Sequence, residues 1–168
     1  MTACGKGADV ENGTETNGRK LFTQKLDEKG LDTETIDINR DGRTDQWIYR
    51  KDDGTIRYAQ RDLNFDGIID LTEFYEAGKR VRDEIDLDYD GIVDLVITYR
   101  KGIVEKKEYS VDFEGNRHGI QYFNEKGERI EIHRDTDGDG RLDTIEYYEP
   151  GKADPVRVEK KDVSVWAK

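Results

Sequence analysis

Aspartate and asparagine recur in this chain at a spacing that fits one kind of chemistry, the binding of a hard cation. In Asp135-Thr136-Asp137-Gly138-Asp139-Gly140-Arg141-Leu142-Asp143, carboxylates fall at loop positions 1, 3, 5 and 9 and glycine at position 6. Calcium takes six to eight oxygen ligands, and alternate side chains of a coiled loop converge on one point only where glycine permits the sharp turn. The layout returns at Asp37, Asn39, Asp41 and Asp45, at Asp62, Asn64, Asp66 and Asp70, and at Asp86, Asp88, Asp90 and Asp94, with Gly42, Gly67 and Gly91 at position 6. Backbone carbonyls of the position-7 residues Arg43, Ile68, Ile92 and Arg141 would complete each set. Glu73 and Glu146 stand at position 12 of the second and fourth loops and are possible additional metal ligands.

The loops begin at 37, 62, 86 and 135, steps of 25, 24 and 49. The last step is two periods, so a fifth unit is expected near 112–127, where Asp112-Phe113-Glu114-Gly115 keeps the frame without most ligands. Calcium is the expected ion. Magnesium prefers a smaller octahedron that retains water, and zinc lacks its Cys and His partners. The alternative for the loops is a set of Asx-turns with no ion, but carboxylates this close repel unless a cation neutralises them.

Positioning these loops requires regular connecting elements, and composition limits what they can be. Only 33% of the 168 residues are hydrophobic and 40% are charged, which disfavours a thick two-layer core and favours stacked repeats. Fourteen of the 39 acids and three of the 28 Lys plus Arg (Arg40, Arg43 and Arg141) lie in the four loops; outside them 25 acids face 25 bases, so the net charge of −11 is local to the candidate sites. Such a surface offers nothing to a phosphate backbone, and no nucleic acid is expected as a partner. His118 and His133, the two histidines, stand beside no evident nucleophile, and no phosphate loop or catalytic motif can be read; the expectation is a protein that is not an enzyme.

Met1-Thr2-Ala3-Cys4 resembles the end of a bacterial lipoprotein signal, which makes Cys4 the expected lipid attachment point and 1–19 a flexible tether. Residues 20–168 form the expected repeat domain. Each unit reads as an Asp-rich loop, an outgoing strand such as Gln46-Trp47-Ile48-Tyr49, a glycine turn and a return strand such as Ile56-Arg57-Tyr58-Ala59. Two short strands, 20–26 and 33–36, lead in. The fold expected is all-β, an antiparallel meander or solenoid-like array of about five two-stranded repeats. Return strands alternate, Ile56 and Tyr58 against Arg57 and Arg61, Ile130 and Ile132 against Glu131 and His133, which predicts one buried and one wet face. Tyr75, Tyr99 and Tyr148 share position 14 and are expected in one ladder, either packed or exposed as an interface.

The alternative is helical, an EF-hand-like or dockerin-like calcium-responsive module. Thirteen residues between Ile48 and Asp62 are too few for two helices, and Gly54, Gly78 and Gly102 would interrupt a single one. Asp86-Leu87-Asp88-Tyr89-Asp90-Gly91-Ile92-Val93-Asp94-Leu95-Val96-Ile97 resembles the calcium hairpin loops of FG-GAP repeats, found in integrin-type propellers and bacterial surface proteins. That resemblance implies ligands at positions 1, 3, 5 and 9 with no need for a twelfth; units of about 24 residues are too short for propeller blades. Gly115 to Gly127 resembles a bacterial MORN-type repeat, itself a β-hairpin. Together they imply an exported cell-envelope protein, an outer-membrane or surface lipoprotein. It would touch the membrane only through an N-terminal lipid, with calcium ions and an envelope protein as partners.

Overall fold

The computed structural model describes residues 29–110 and 117–163. The expected tether, Cys4, the strand at 20–26 and most of the ligand-poor loop near 112 lie outside them. Eleven strands follow one another: β1 (Asp32–Ile36), β2 (Gln46–Arg50), β3 (Ile56–Arg61), β4 (Leu71–Glu76), β5 (Lys79–Ile85) and β6 (Leu95–Arg100). Then come β7 (Ile103–Ser110), β8 (Arg117–Phe123), β9 (Arg129–Arg134), β10 (Leu142–Tyr147) and β11 (Arg157–Val163). They form a single antiparallel sheet in sequence order, an open meander. Among the described residues there is no helix, so the helical alternative is corrected: Leu71–Glu76, where an EF-hand would begin its exit helix, is a strand. Its Thr, Phe and Tyr favour a pleated surface over a helical one.

Because strands alternate in direction, all Asp-rich loops gather at one end of the sheet and all short turns at the other. Two of the turns are tight two-residue connections: Glu76 pairs with Lys79 and Arg100 with Ile103. Ala77-Gly78 and Lys101-Gly102 there hold positive φ at both central residues, the conformation that matches the twist of antiparallel strands. The turns at Lys51 and Asn124 are longer, each closed by a glycine amide donating back to the carbonyl three residues earlier.

Every one of these four hairpins carries a β-bulge in its return strand. Tyr49 pairs with Tyr58 but Arg50 with Ile56, so Arg57 is the extra residue; the same register shift sets Val81, Glu105 and Ile130 aside. This corrects the expected alternation. Successive residues of β2 point to opposite faces, so Tyr58, opposite Tyr49, lies across the sheet from Ile56, opposite Arg50. Arg61, opposite Gln46, shares the face of Ile56 instead of opposing it.

With no second layer among the described residues, side chains are covered by their neighbours along and across the strands, and both faces of the central strands become buried. One face carries Tyr49, Tyr58 and Phe74 in a row, with ring centroids 4.3 and 6.5 Å apart. The other carries a charged network. Glu73 and Asp83 pair directly across strands and are 4% and 0% exposed. Two like charges so placed would repel, and Arg80 resolves the conflict by reaching Glu73 at 2.9 Å and also bonding Asp83. Arg61 approaches Glu73 from the other side at 3.4 Å, and the Tyr99 hydroxyl donates to Asp83 at 2.5 Å. Tyr148 likewise donates to Glu146 at 2.6 Å and is buried beneath the Arg129 guanidinium, 4.1 Å from its ring. Two of the three expected ladder tyrosines, Tyr99 and Tyr148, are thus tied into ion networks of the sheet.

Candidate metal centres

Each loop is wound by its own first aspartate. In the first, Asp37 accepts amides of Arg40 (2.6 Å), Asp41 (3.2 Å) and Gly42 (2.9 Å). Asp62 receives Phe65, Asp66 and Gly67 in the same way, and Asp86 receives Tyr89, Asp90 and Gly91. Asp135 receives Gly138 and Gly140. Position 5 accepts from position 7: Arg43 donates to Asp41, Ile68 to Asp66, Ile92 to Asp90 and Arg141 to Asp139, all at 2.8 Å. The ninth residue folds back, Asp45 onto the amide of Ile38, Asp70 onto Leu63, Asp94 onto Leu87 and Asp143 onto Thr136.

Two of the expected sets bring three carboxylates together. Asp86, Asp88 and Asp94, and likewise Asp135, Asp137 and Asp143, can each place one oxygen within 4.8 Å of the others. These groups could hold a metal ion. Two unit charges about 5 Å apart repel by about 3 kcal/mol at an effective dielectric of about 20. Asp90 and Asp139 lie outside these triads. In the first two loops an asparagine at position 3 answers position 5 instead: Asn39 donates to Asp41 at 3.1 Å and Asn64 to Asp66 at 2.9 Å. The second loop buries its ninth-position carboxylate. Asp70 is 0% exposed, and its Oδ1 has no hydrogen-bond partner. Its pKa is raised, chiefly by burial and further by Asp62 and Asp66.

Burial also raises Asp86 and Asp94. Asp143 is the opposite case: the Thr136 hydroxyl, at 2.6 Å, and that of Thr144 hold it down at about 2. Glu73 and Glu146 are placed in strands beside arginines, Glu146 meeting Arg134 at 3.0 Å. In the third and fourth loops, therefore, convergence is at positions 1, 3 and 9.

Position 4 was not singled out by sequence reasoning, yet it is conformationally special. Arg40, Phe65 and Tyr89 hold φ of 65, 66 and 65°, and the fourth loop has Gly138 there at 78°. For a side chain with a Cβ this left-handed region costs roughly 1–2 kcal/mol. Gly138 was the available signal, since two glycines two apart mark two left-handed positions.

Adjacent loops are bonded to one another. The Asp62 amide donates to the Asp45 carbonyl and the Asp86 amide to the Asp70 carbonyl, both at 2.8 Å. Position 1 of one loop is thereby fixed against position 9 of the loop before it. Loops two strands apart stand roughly 9.5 Å from each other.

No family model matches the chain, and no curated protein sequence does. Solved structures to which this chain is similar include the accessory secretory protein 1, 2 and 3 structure from Streptococcus pneumoniae, at 19% identity and a TM-score of 0.43 over 69% of this chain and 22% of that one. A glycosylation-associated Gap123 complex from Streptococcus agalactiae gives 13% identity and a TM-score of 0.47, over 70% and 22%. The GtfA/B complex bound to UDP and GlcNAc gives 13% and 0.35, over 91% and 29%. This chain spans less than a third of each of these chains.

Proposed function

We propose that this protein is a non-catalytic calcium-binding β-repeat module, exported and held at the cell envelope by a lipid on Cys4, with structural or protein-interaction work to do there. The observation that carries the calcium reading is the buried, unpartnered Oδ1 of Asp70 in a loop whose layout recurs four times. A buried carboxylate oxygen without a partner is costly, and a cation would satisfy it. Hard oxygen donors without Cys or His favour calcium over zinc. Calcium would offset the mutual repulsion of the triads and lock the end of the sheet where the strands have no turns of their own. Bound to the native chain alone, each ion adds about 2.7 kcal/mol at a hundredfold excess over its Kd.

Native mass spectrometry tests this reading. The chain should take up as many as four calcium ions, and Asp137→Ala should take up one fewer. Unchanged occupancy in that variant would refute the ligand assignment. For the anchor, the precursor with a signal segment should partition into detergent and Cys4→Ser should not; equal partitioning would refute lipidation.

A further inference from the structure

Large apolar side chains are exposed in this structure mainly among the very acids that would hold calcium. Of the ten exposed large hydrophobics among the described residues, six are Ile38, Leu63, Phe65, Ile68, Leu87 and Tyr89, at positions 2, 4 and 7 of the first three loops, each 37 to 57% exposed. The fourth loop has Thr136, Gly138 and Arg141 at these positions. Topology puts the three apolar loops side by side at one end of the sheet, and the Asp62–Asp45 and Asp86–Asp70 backbone bonds fix them in a row. Phe65 and Tyr89 occupy left-handed backbone that Gly138 takes without strain in the fourth loop. An aromatic kept at a strained, solvent-facing tip has no packing reason to be there.

We propose that this three-loop edge docks on a lipid bilayer bearing anionic phosphate headgroups, in a calcium-dependent manner; the inference rests on the calcium reading above. In the third loop three carboxylates converge, while calcium takes six to eight oxygens, so positions stay open for headgroup oxygens. The buried unpartnered oxygen of Asp70 places that demand for a cation within the middle loop of the row. Ten carboxylates against Arg40 and Arg43 give this edge a charge of −8, which one calcium ion in each loop would cut to −2; repulsion of an anionic surface falls steeply on ion binding, which makes the contact conditional on calcium. A bilayer fits this edge better than a protein does. Apolar tips interrupted by acids cannot form the contiguous dry centre of a protein interface, whereas fluid lipid accepts separate Leu, Phe and Tyr side chains at its boundary.

The test is co-sedimentation of the chain with phosphatidylserine–phosphatidylcholine vesicles, in calcium and in chelator, with ion binding followed in parallel by calorimetry. The chain should pellet in calcium and stay in solution in chelator, and vesicles of phosphatidylcholine alone should capture much less. Combined Leu63→Ser, Phe65→Ser, Leu87→Ser and Tyr89→Ser should bind the same number of ions and lose tenfold or more of the vesicle affinity. Ions bound with no pelleting, or undiminished pelleting of the variant, overturns the docking surface while leaving the calcium reading intact. Absence of any calcium heat overturns both.

Discussion

Replacing Asp88 by asparagine should move the stability of this protein in two directions, depending on calcium. Asp88 stands with Asp86 and Asp94 in one triad within 4.8 Å. In the first two loops the same position is asparagine, donating to the position-5 carboxylate at 3.1 and 2.9 Å. Asp88→Asn therefore rebuilds the third loop in the form of its neighbours. Two like-charge pairs vanish, each about 3 kcal/mol at an effective dielectric of about 20. Exposure of Asp88 and salt reduce the total to roughly 1–2 kcal/mol. In chelator the variant should accordingly be more stable than the parent, with Tm higher by roughly 2–8 °C for a domain of this size. In calcium it lacks one charged ligand, and a tenfold to hundredfold weaker site narrows the gap between the calcium and chelator curves by about 1.4–2.8 kcal/mol. Paired thermal unfolding scans read both effects. A variant less stable in chelator, or one with an unchanged calcium gap, would refute the reasoning that repulsion in this loop is what calcium relieves.

Further outcomes are expected. Arg80→Met leaves Glu73 and Asp83 facing each other and should cost about 3 kcal/mol in urea unfolding; adding Asp83→Asn should recover much of it, and a cost below about 1 kcal/mol would mean that Arg80 forms only a surface pair. Asp86 and Asp94 are raised and Asp143 lies at about 2, so calcium, which needs ionised carboxylates, should leave the third loop at a higher pH than the fourth; Asp88→Asn and Asp137→Asn titrations by calorimetry assign the two steps. In chelator, the raised pKa values of Asp86 and Asp94 cost stability above those values, and acidification removes that cost. The depressed Asp143 contributes stability above 3.8 that is lost as pH falls toward about 2, so the Thr136→Val variant should lose its acid tolerance first. Tyr99, pushed up to about 12 by burial and by Asp83, should be the late phase of an absorbance titration, and Asp83→Asn should bring it down. Finally, Gly119→Ala would drive a Cβ into the Tyr109 ring that covers it, and should cost roughly 1–3 kcal/mol in the same urea assay.

The all-β array and its loops were legible because their signals are local. Asp, Asn and Gly at fixed offsets report backbone turns directly, and short runs such as Gln46–Arg50 carry β-branched and aromatic residues. The bulges were not legible. Arg57, Val81, Glu105 and Ile130 have no chemistry in common, and what sets them aside is the register imposed by the partner strand. Once one residue is set aside, every face assignment beyond it inverts, which is why Ile56 and Tyr58 part company. The Glu73–Arg80–Asp83 network was hidden for the same reason, since cross-strand neighbours appear only after register is known. The candidate ligands lie in the loops between strands, but convergence on positions 1, 3 and 9 in the third and fourth loops depended on geometry no spacing encodes.

Isothermal calorimetry of the full chain, first stripped with chelator, reads most directly whether the loops hold calcium. Saturable binding of up to four ions is predicted, with the sites at Asp86 and Asp135 filling before those at Asp37 and Asp62 because each has an additional carboxylate at position 3. A chain that takes up no calcium, and whose melting curve is the same in calcium and in chelator, would contradict it.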